Sequence, residues 1–295
     1  MTSPEAARAR ASLERETVDP HADFAAERAA WHEGMIDAPV PYPTDERALD
    51  LAGVPGLLVT PRGPRGAVQV PSGCLLHLHG GGLVAGSSVT HRPLAALLAH
   101  VTGLAVVLPD YRLLPEHGPE DALADARAAI GAAARATGLP LVAVGGDSNG
   151  AGLALAALAT GASAPALYSI SGALDARLRS PSVASLAGRD PLFTPEGLRD
   201  WRDRLDRAGV DLDAPALTPL ALDLTRVPRA LLIAGTDELW RDDSRRATGA
   251  LNEAGVDVEL QEFGGMWHVW PGWTDLPESV AAARAIGDFV SADAR

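Results

Sequence analysis

The sequence predicts an α/β protein in which a mostly parallel sheet is covered by helices on both faces. Two observations carry that expectation. From about residue 57 onward, short β-rich apolar runs alternate with alanine-rich helical stretches. The apolar runs are also nearly continuous, as strands buried on both faces are, and do not alternate with polar residues. In chain order the expected strands are 57–60, 67–70, 75–79, 105–108, 141–145, 166–170, 230–234 and 256–261. Helices are expected near 91–101, 119–136, 149–160, 242–254 and 277–291.

Two segments break the alternation. Residues 1–45 read as helical and charged, then proline-rich at Pro39, Pro41 and Pro43; residues 175–215 hold a second charged stretch, including LRDWRDRLDRAG. Both lie outside the sheet and could pack together as a cap over one end of it. The expected organisation is therefore a cap segment over 1–48, a first core part over 49–174, a cap insertion over 175–215 and a second core part over 216–295.

Composition narrows the function classes. A chain of 295 residues with 47% hydrophobic and 21% charged content suits a soluble globular protein with a substantial core. A formal net charge of -13, with no basic stripe, argues against nucleic acid or an anionic membrane surface as partner. All 25 cationic residues are arginine, which removes Walker-type phosphate loops, Schiff-base chemistry and Ser-Lys catalysis. The single cysteine, Cys74, excludes an intramolecular disulfide. The amino-terminal stretch is charged and has no apolar core of a secretory signal. The longest uncharged run, 150–174, is interrupted by Gly161 and Pro165 and reads as buried helix and strand, so no membrane span is expected and a cytoplasmic location is.

The most informative segment is LPLVAVGGDSNGAGLALAALA, residues 139–159. A strand runs into Gly146-Asp147-Ser148-Asn149-Gly150 and a helix follows at once, which is G-x-S-x-G in its strand–turn–helix setting. A serine on that strained turn exposes its oxygen, and Gly146 and Gly150 leave room for neighbouring backbone. The competing reading, a dinucleotide turn, is weak because the glycines do not spell G-x-G-x-x-G.

Upstream, an apolar strand ends in His79-Gly80-Gly81-Gly82. Consecutive glycines let backbone N–H groups face a cavity, and with the N–H of Asn149 those of Gly81 and Gly82 would form an oxyanion hole. His79, with Gly80, is expected to hold this loop by hydrogen bonding, and His77 to be packed in the core. The alternative, that His77 and His79 share a strand face and ligate a metal, lacks a second histidine pair or carboxylate cluster, so no metal is expected.

Where a G-x-S-x-G serine works with an acid and a histidine, the chain order is nucleophile, acid, histidine. Of eight histidines only His268 follows Ser148. For the acid, the strand ALLIAG ends directly in Thr236-Asp237-Glu238, and Asp237 is the expected choice; Asp242 and Asp243 fall where helix capping is the plainer role. Ser148, Asp237 and His268 would then form a triad acting without cofactor or metal.

With these residues assembled, the chain resembles the hormone-sensitive lipase family of bacterial esterases. The likeness rests on HGGG at 79–82, DYRLLPEH at 110–117, GDSNGAG at 146–152, TDELWRDDS at 236–244 and GMWH at 265–268, in order over roughly 50–295. The resemblance implies an α/β-hydrolase fold with an eight-stranded sheet and a helical cap, and hydrolysis of short- to medium-chain acyl esters through an acyl-enzyme. It also implies that Asp110, Tyr111 and Arg112 support the oxyanion loop, and that a homodimer is among the assemblies to test. The chain departs from the family pattern at Asn149, at GPEDAL after the YRLLPEH run and at Glu238. Leu83, Trp267 and Trp270, near the reacting groups in sequence, are candidates for the substrate pocket, with ordinary core packing as the alternative for the tryptophans. A lactonase or amidase could use the same machinery. A non-catalytic small-ligand receptor on the same fold is disfavoured by the presence of Ser148, Asp237 and His268.

Overall fold

The computed structural model describes residues 2–13, 23–63, 67 and 69–292. Among these, eight strands form one sheet: β1 Thr44–Leu51, β2 Val54–Pro61, β3 Cys74–Leu78, β4 Ala105–Pro109, β5 Leu141–Asp147, β6 Leu167–Ile170, β7 Ala230–Gly235 and β8 Val258–Phe263. Their order across the sheet is β1-β2-β4-β3-β5-β6-β7-β8. β2 is antiparallel to both β1 and β4, and every other pairing is parallel.

The continuous apolar runs have a simple origin. Alternate residues of one strand feed two separate cores. Leu76 and Leu78 of β3 and Val107 of β4 face one layer; Leu75, Val106 and Leu108 face the other. Helices α4 (Pro119–Thr137), α5 (Asn149–Ala159) and α8 (Arg241–Glu253) cover the first layer, whereas α3 (Arg92–Thr102) and α9 (Pro277–Ser291) cover the second. α5 is buried along its whole length, which fits its alanine-rich, uncharged sequence. No described helix is long and apolar enough to cross a membrane.

The two segments outside the alternation supply α1 (Pro4–Ser12), α2 (Phe24–Ile36), α6 (Ser182–Ser185) and α7 (Pro195–Arg207). α2 and α7 are joined by the Arg204–Glu27 ion pair at 2.7 Å, with the Arg204 guanidinium 3.9 Å above the Phe24 ring. α1 docks elsewhere. Ser3 donates its N–H and hydroxyl to Glu278 of α9, and Ala6 is enclosed in the second core.

Two expectations fail. Ala67, Gln69 and Val70 belong to no strand, and Val70 is 83% exposed; residue 68 of that expected strand lies outside the described residues. The missing strand is β1, placed by the sequence partly in the cap segment. Only Ala or Leu at 48, 49 and 51 gives it apolar character, because as an edge strand it buries little beyond Leu49 and Leu51. Residues 1, 14–22 and 293–295 of the expected cap and core segments also lie outside the described residues.

Candidate active site

Four loops at the carboxyl ends of β3, β5, β7 and β8 converge, the edge at which parallel α/β sheets place their sites. Ser148 follows β5 with φ 52° and ψ -127°, a conformation costing a non-glycine residue about 1–3 kcal/mol and held by its surroundings. Its N–H donates to the Ile170 carbonyl at 2.9 Å, and its carbonyl accepts from Ala173 at 3.1 Å. The turn needs glycine on both sides. A Cβ on Gly146 would stand 2.4 Å from the Leu78 carbonyl oxygen, and one on Gly150 only 2.1 Å from the same atom. Ser148 Oγ lies 2.9 Å from His268 Nε2, and both residues are buried.

Asp147, one residue before the serine, reaches beneath the HGGG loop. Its Oδ1 accepts the Gly80 N–H at 3.0 Å and His77 Nε2–H at 2.9 Å, while His77 Nδ1 meets the Tyr168 hydroxyl at 2.9 Å. Both His77 nitrogens are thereby occupied by protein groups. Burial alone would raise the Asp147 carboxyl, but the neighbouring His91 and His77 imidazoles outweigh it and hold it well below the usual carboxylate range. His79 Nδ1–H donates to the Gly80 carbonyl at 2.9 Å, and Tyr111 donates its hydroxyl to the His79 carbonyl at 2.6 Å. Burial, reinforced by His91, drives the His79 imidazole down to about 3, so it is a neutral ring at ordinary pH. Asp110 accepts the N–H and hydroxyl of Ser88, and Arg112 is bonded to Asp121 and Asp125. Gly81 and Gly82 have positive φ, 115° and 68°, so the loop turns where side chains are strained. Asn149 opens α5, where first-turn N–H groups have no helical acceptor.

The histidine's second partner differs from the expected one. His268 Nδ1 meets Glu238 Oε2 at 3.3 Å, not Asp237. Glu238 is fully buried, and its other oxygen, Oε1, accepts the Gly235 N–H at 3.1 Å. Burial pushes its carboxyl up from the ordinary glutamate value, opposed by His268 and the Ser171 hydroxyl. Asp237 turns the other way, to Arg189 at 2.8 Å and Arg10 at 3.3 Å. Arg10 also donates to the Gly265 carbonyl at 3.1 Å, so α1 clasps the acid-bearing and histidine-bearing loops together. The two carboxylates sit on opposite sides of one turn, and only the longer glutamate side chain reaches the imidazole.

The pocket candidates also move. Trp267 and Trp270 are fully buried in the second core, Trp267 packed edge-on with Trp273 at 5.4 Å and Trp270 against Phe263 at 5.1 Å. Leu83 is likewise fully enclosed, in the first core. The aromatic rings that border the reacting groups come from positions the sequence does not single out. Trp240 lies 4.1 Å from the His268 ring and Phe193 stands edge-on to it at 5.2 Å. Over the HGGG loop, a Cβ on Gly81 would meet Trp31 of α2 at 2.7 Å, and one on Gly82 would meet Trp201 Nε1 of α7 at 2.7 Å. α2 and α7 thus each set one indole against these glycines. A tryptophan two residues after Glu238 and a tryptophan in the amphipathic α7 are the signals the sequence offers.

Known proteins give the same outline. A family profile described as alpha/beta hydrolase fold matches residues 75–272. An acetyl-hydrolase of Streptomyces hygroscopicus is 36% identical over 224 residues, 73% of this chain and 74% of that one. An esterase of Acinetobacter venetianus is 31% identical over 255 residues, covering 83% and 81%. The crystal structure of an esterase from the bacterial hormone-sensitive lipase family superposes with a TM-score of 0.83 at 31% identity, covering 98% of each chain.

Proposed function

The chain is a carboxylesterase of the bacterial hormone-sensitive lipase family with the α/β-hydrolase fold, and we propose that it acts through a Ser148–His268–Glu238 triad. The observation that carries this reading is the unbroken line of contacts from Ser148 Oγ to His268 Nε2 at 2.9 Å and from His268 Nδ1 to Glu238 at 3.3 Å.

The steps follow from that line. His268 Nε2 takes the hydroxyl proton as Ser148 Oγ attacks the acyl carbonyl, and Glu238 stabilises the imidazolium that forms. The N–H groups of Gly81, Gly82 and Asn149 face the developing oxyanion, where each such donor is worth about 3 kcal/mol. The imidazolium returns its proton to the leaving alkoxide, which departs as the alcohol and leaves Ser148 acylated. Water, deprotonated by His268, then attacks the acyl carbonyl, and the imidazolium returns that proton to Ser148 Oγ as the acyl–Oγ bond breaks and the carboxylic acid leaves. No cofactor enters any step.

The substrates proposed are small, uncharged short- to medium-chain acyl esters. Trp31 and Trp201 over Gly81 and Gly82 leave little width beside the reacting carbonyl, and the similar Streptomyces hygroscopicus protein is named an acetyl-hydrolase. The test is hydrolysis of p-nitrophenyl esters from acetate to laurate by the wild type and Ser148→Ala. Turnover of short esters with a loss on the order of 10⁶-fold in the variant supports the reading. Folded wild type without turnover on any ester refutes it, and a peak at laurate refutes the chain-length part.

A further inference from the structure

Beyond the triad, one buried carboxylate near the histidine has no part in the hydrolytic steps. Asp190 lies in the segment between α6 and α7 and is completely buried. Its Oδ1 accepts the backbone N–H groups of Leu192 at 2.9 Å and Phe193 at 3.3 Å, a turn closed by its own side chain. Its Oδ2 is enclosed and meets no hydrogen-bond donor among the described residues. A buried carboxylate oxygen without a donor is costly, and a turn alone needs only one of the two oxygens. An asparagine would serve a purely structural turn at lower cost.

What the turn delivers is Phe193. Its ring stands edge-on to His268 at 5.2 Å and 87°, and edge-on to Trp240 at 5.1 Å. Trp240 covers another side of the imidazole at 4.1 Å. The Asp190 turn therefore sets the Phe193 ring against both His268 and Trp240.

We propose that Asp190 is a positioning residue for His268, fastening the aromatic pair around the imidazole and setting a second negative charge on the side of Glu238. This rests on the Ser148–His268–Glu238 reading of the triad. The ionisable groups that act on it are His268 and Glu238, themselves in contact; Asp237, next to Glu238 in the chain, is engaged by Arg189 and Arg10. Asp243 of α8 is engaged separately, by Ser180, the Leu174 amide and Arg246. Burial raises the Asp190 carboxyl, and the nearby His268 imidazole and the Leu192 and Phe193 amides pull it back. By reciprocity, the Asp190 charge favours the imidazolium that forms when Ser148 attacks.

The test is Asp190→Asn, which retains the Oδ1 acceptor and the turn but removes the charge. Removing a negative charge disfavours the imidazolium, so the free base persists to lower pH. The acid limb of kcat/KM is expected to move down by about 0.5–1 pH, with kcat about three- to tenfold lower and KM unchanged within about twofold. A profile that superposes on the wild type overturns the proposal, and so does a change confined to KM or to thermal stability. Should Asp190→Asn not fold, Asp190→Ser, which closes a similar turn, is read in the same way. Phe193→Leu is the companion variant, expected to lower kcat while leaving the acid limb in place. Ser148→Ala, run beside these, separates the two levels. If it stays active the triad reading fails, whereas an inactive Ser148→Ala with an unmoved Asp190→Asn profile refutes only the role of Asp190.

Discussion

Oε2 of Glu238 lies 3.3 Å from Nδ1 of His268, while the carboxylate one residue earlier, Asp237, is bound by Arg189 and Arg10 on the other side of the turn. Two adjacent acids at the end of β7 thus do different work. One is buried against His268; the other anchors the amino-terminal helix to the loop. Arg10 spans Asp237 and the Gly265 carbonyl, so the two loops that bear Glu238 and His268 share one external tie.

The HGGG loop, proposed to hold the oxyanion, hangs from Asp147. Its Oδ1 holds both the Gly80 N–H and His77 inside the protein, where losing the charge weakens two charge-assisted hydrogen bonds. Asp147→Asn should lower kcat by about tenfold or more, short of the roughly 10²–10³ expected for deleting an oxyanion donor outright. It should also cost about 1–3 kcal/mol of stability. Steady-state kinetics and urea unfolding check both; unchanged kcat in a destabilised variant would show that the loop does not depend on this anchor.

Trp201 is expected to limit acyl length. Its Nε1 is enclosed against Gly82 and meets no hydrogen-bond partner among the described residues. Trp201→Ala should raise kcat/KM for esters one or two methylenes beyond the wild-type optimum by about tenfold, the scale of a hydrophobic pocket gaining room. An unaltered chain-length profile would place the acyl group elsewhere.

Asp243 predicts a pH effect of definite sign. Burial pushes its carboxyl up to about 6, against the opposing bonds from Ser180 and the Leu174 amide. A folded value above the unfolded one means that its contribution is fully present below about pH 4 and is lost as pH rises through 6. Asp243→Asn does not titrate, so the wild type should lose about 2 kcal/mol relative to the variant between pH 4 and pH 8. Urea unfolding at the two pH values measures this, and a constant difference would mean that the acid ionises at the same pH in the folded and unfolded chain.

Much of this site is legible in the amino-acid sequence. Gly146 and Gly150 announce the nucleophile turn because a Cβ at either would strike the Leu78 carbonyl, a constraint only glycine meets. His268 follows from chain order. The choice between Asp237 and Glu238 is not legible, since both follow the same strand and differ only in which side of the turn they leave. That depends on Arg10, distant in sequence, and on Arg189. The tryptophans at 267 and 270 mislead for a related reason: an apolar ring beside a catalytic histidine in sequence packs as readily into the core beneath it as into a pocket above. The edge strand β1 escapes a reading of apolar runs because its stability comes from backbone pairing with β2 rather than from apolar burial.

The central claim, that Glu238 and not Asp237 serves His268, is tested most directly by comparing kcat of Glu238→Gln with that of Asp237→Asn on a short p-nitrophenyl ester. The expected result is a loss on the order of 10⁴-fold for Glu238→Gln. For Asp237→Asn the expected loss is less than about tenfold, with the effect seen mainly in the unfolding midpoint, because this buried carboxylate serves Arg10 and Arg189 and not His268. Equal losses, or a larger loss in Asp237→Asn, would contradict the claim and return the acid's role to Asp237.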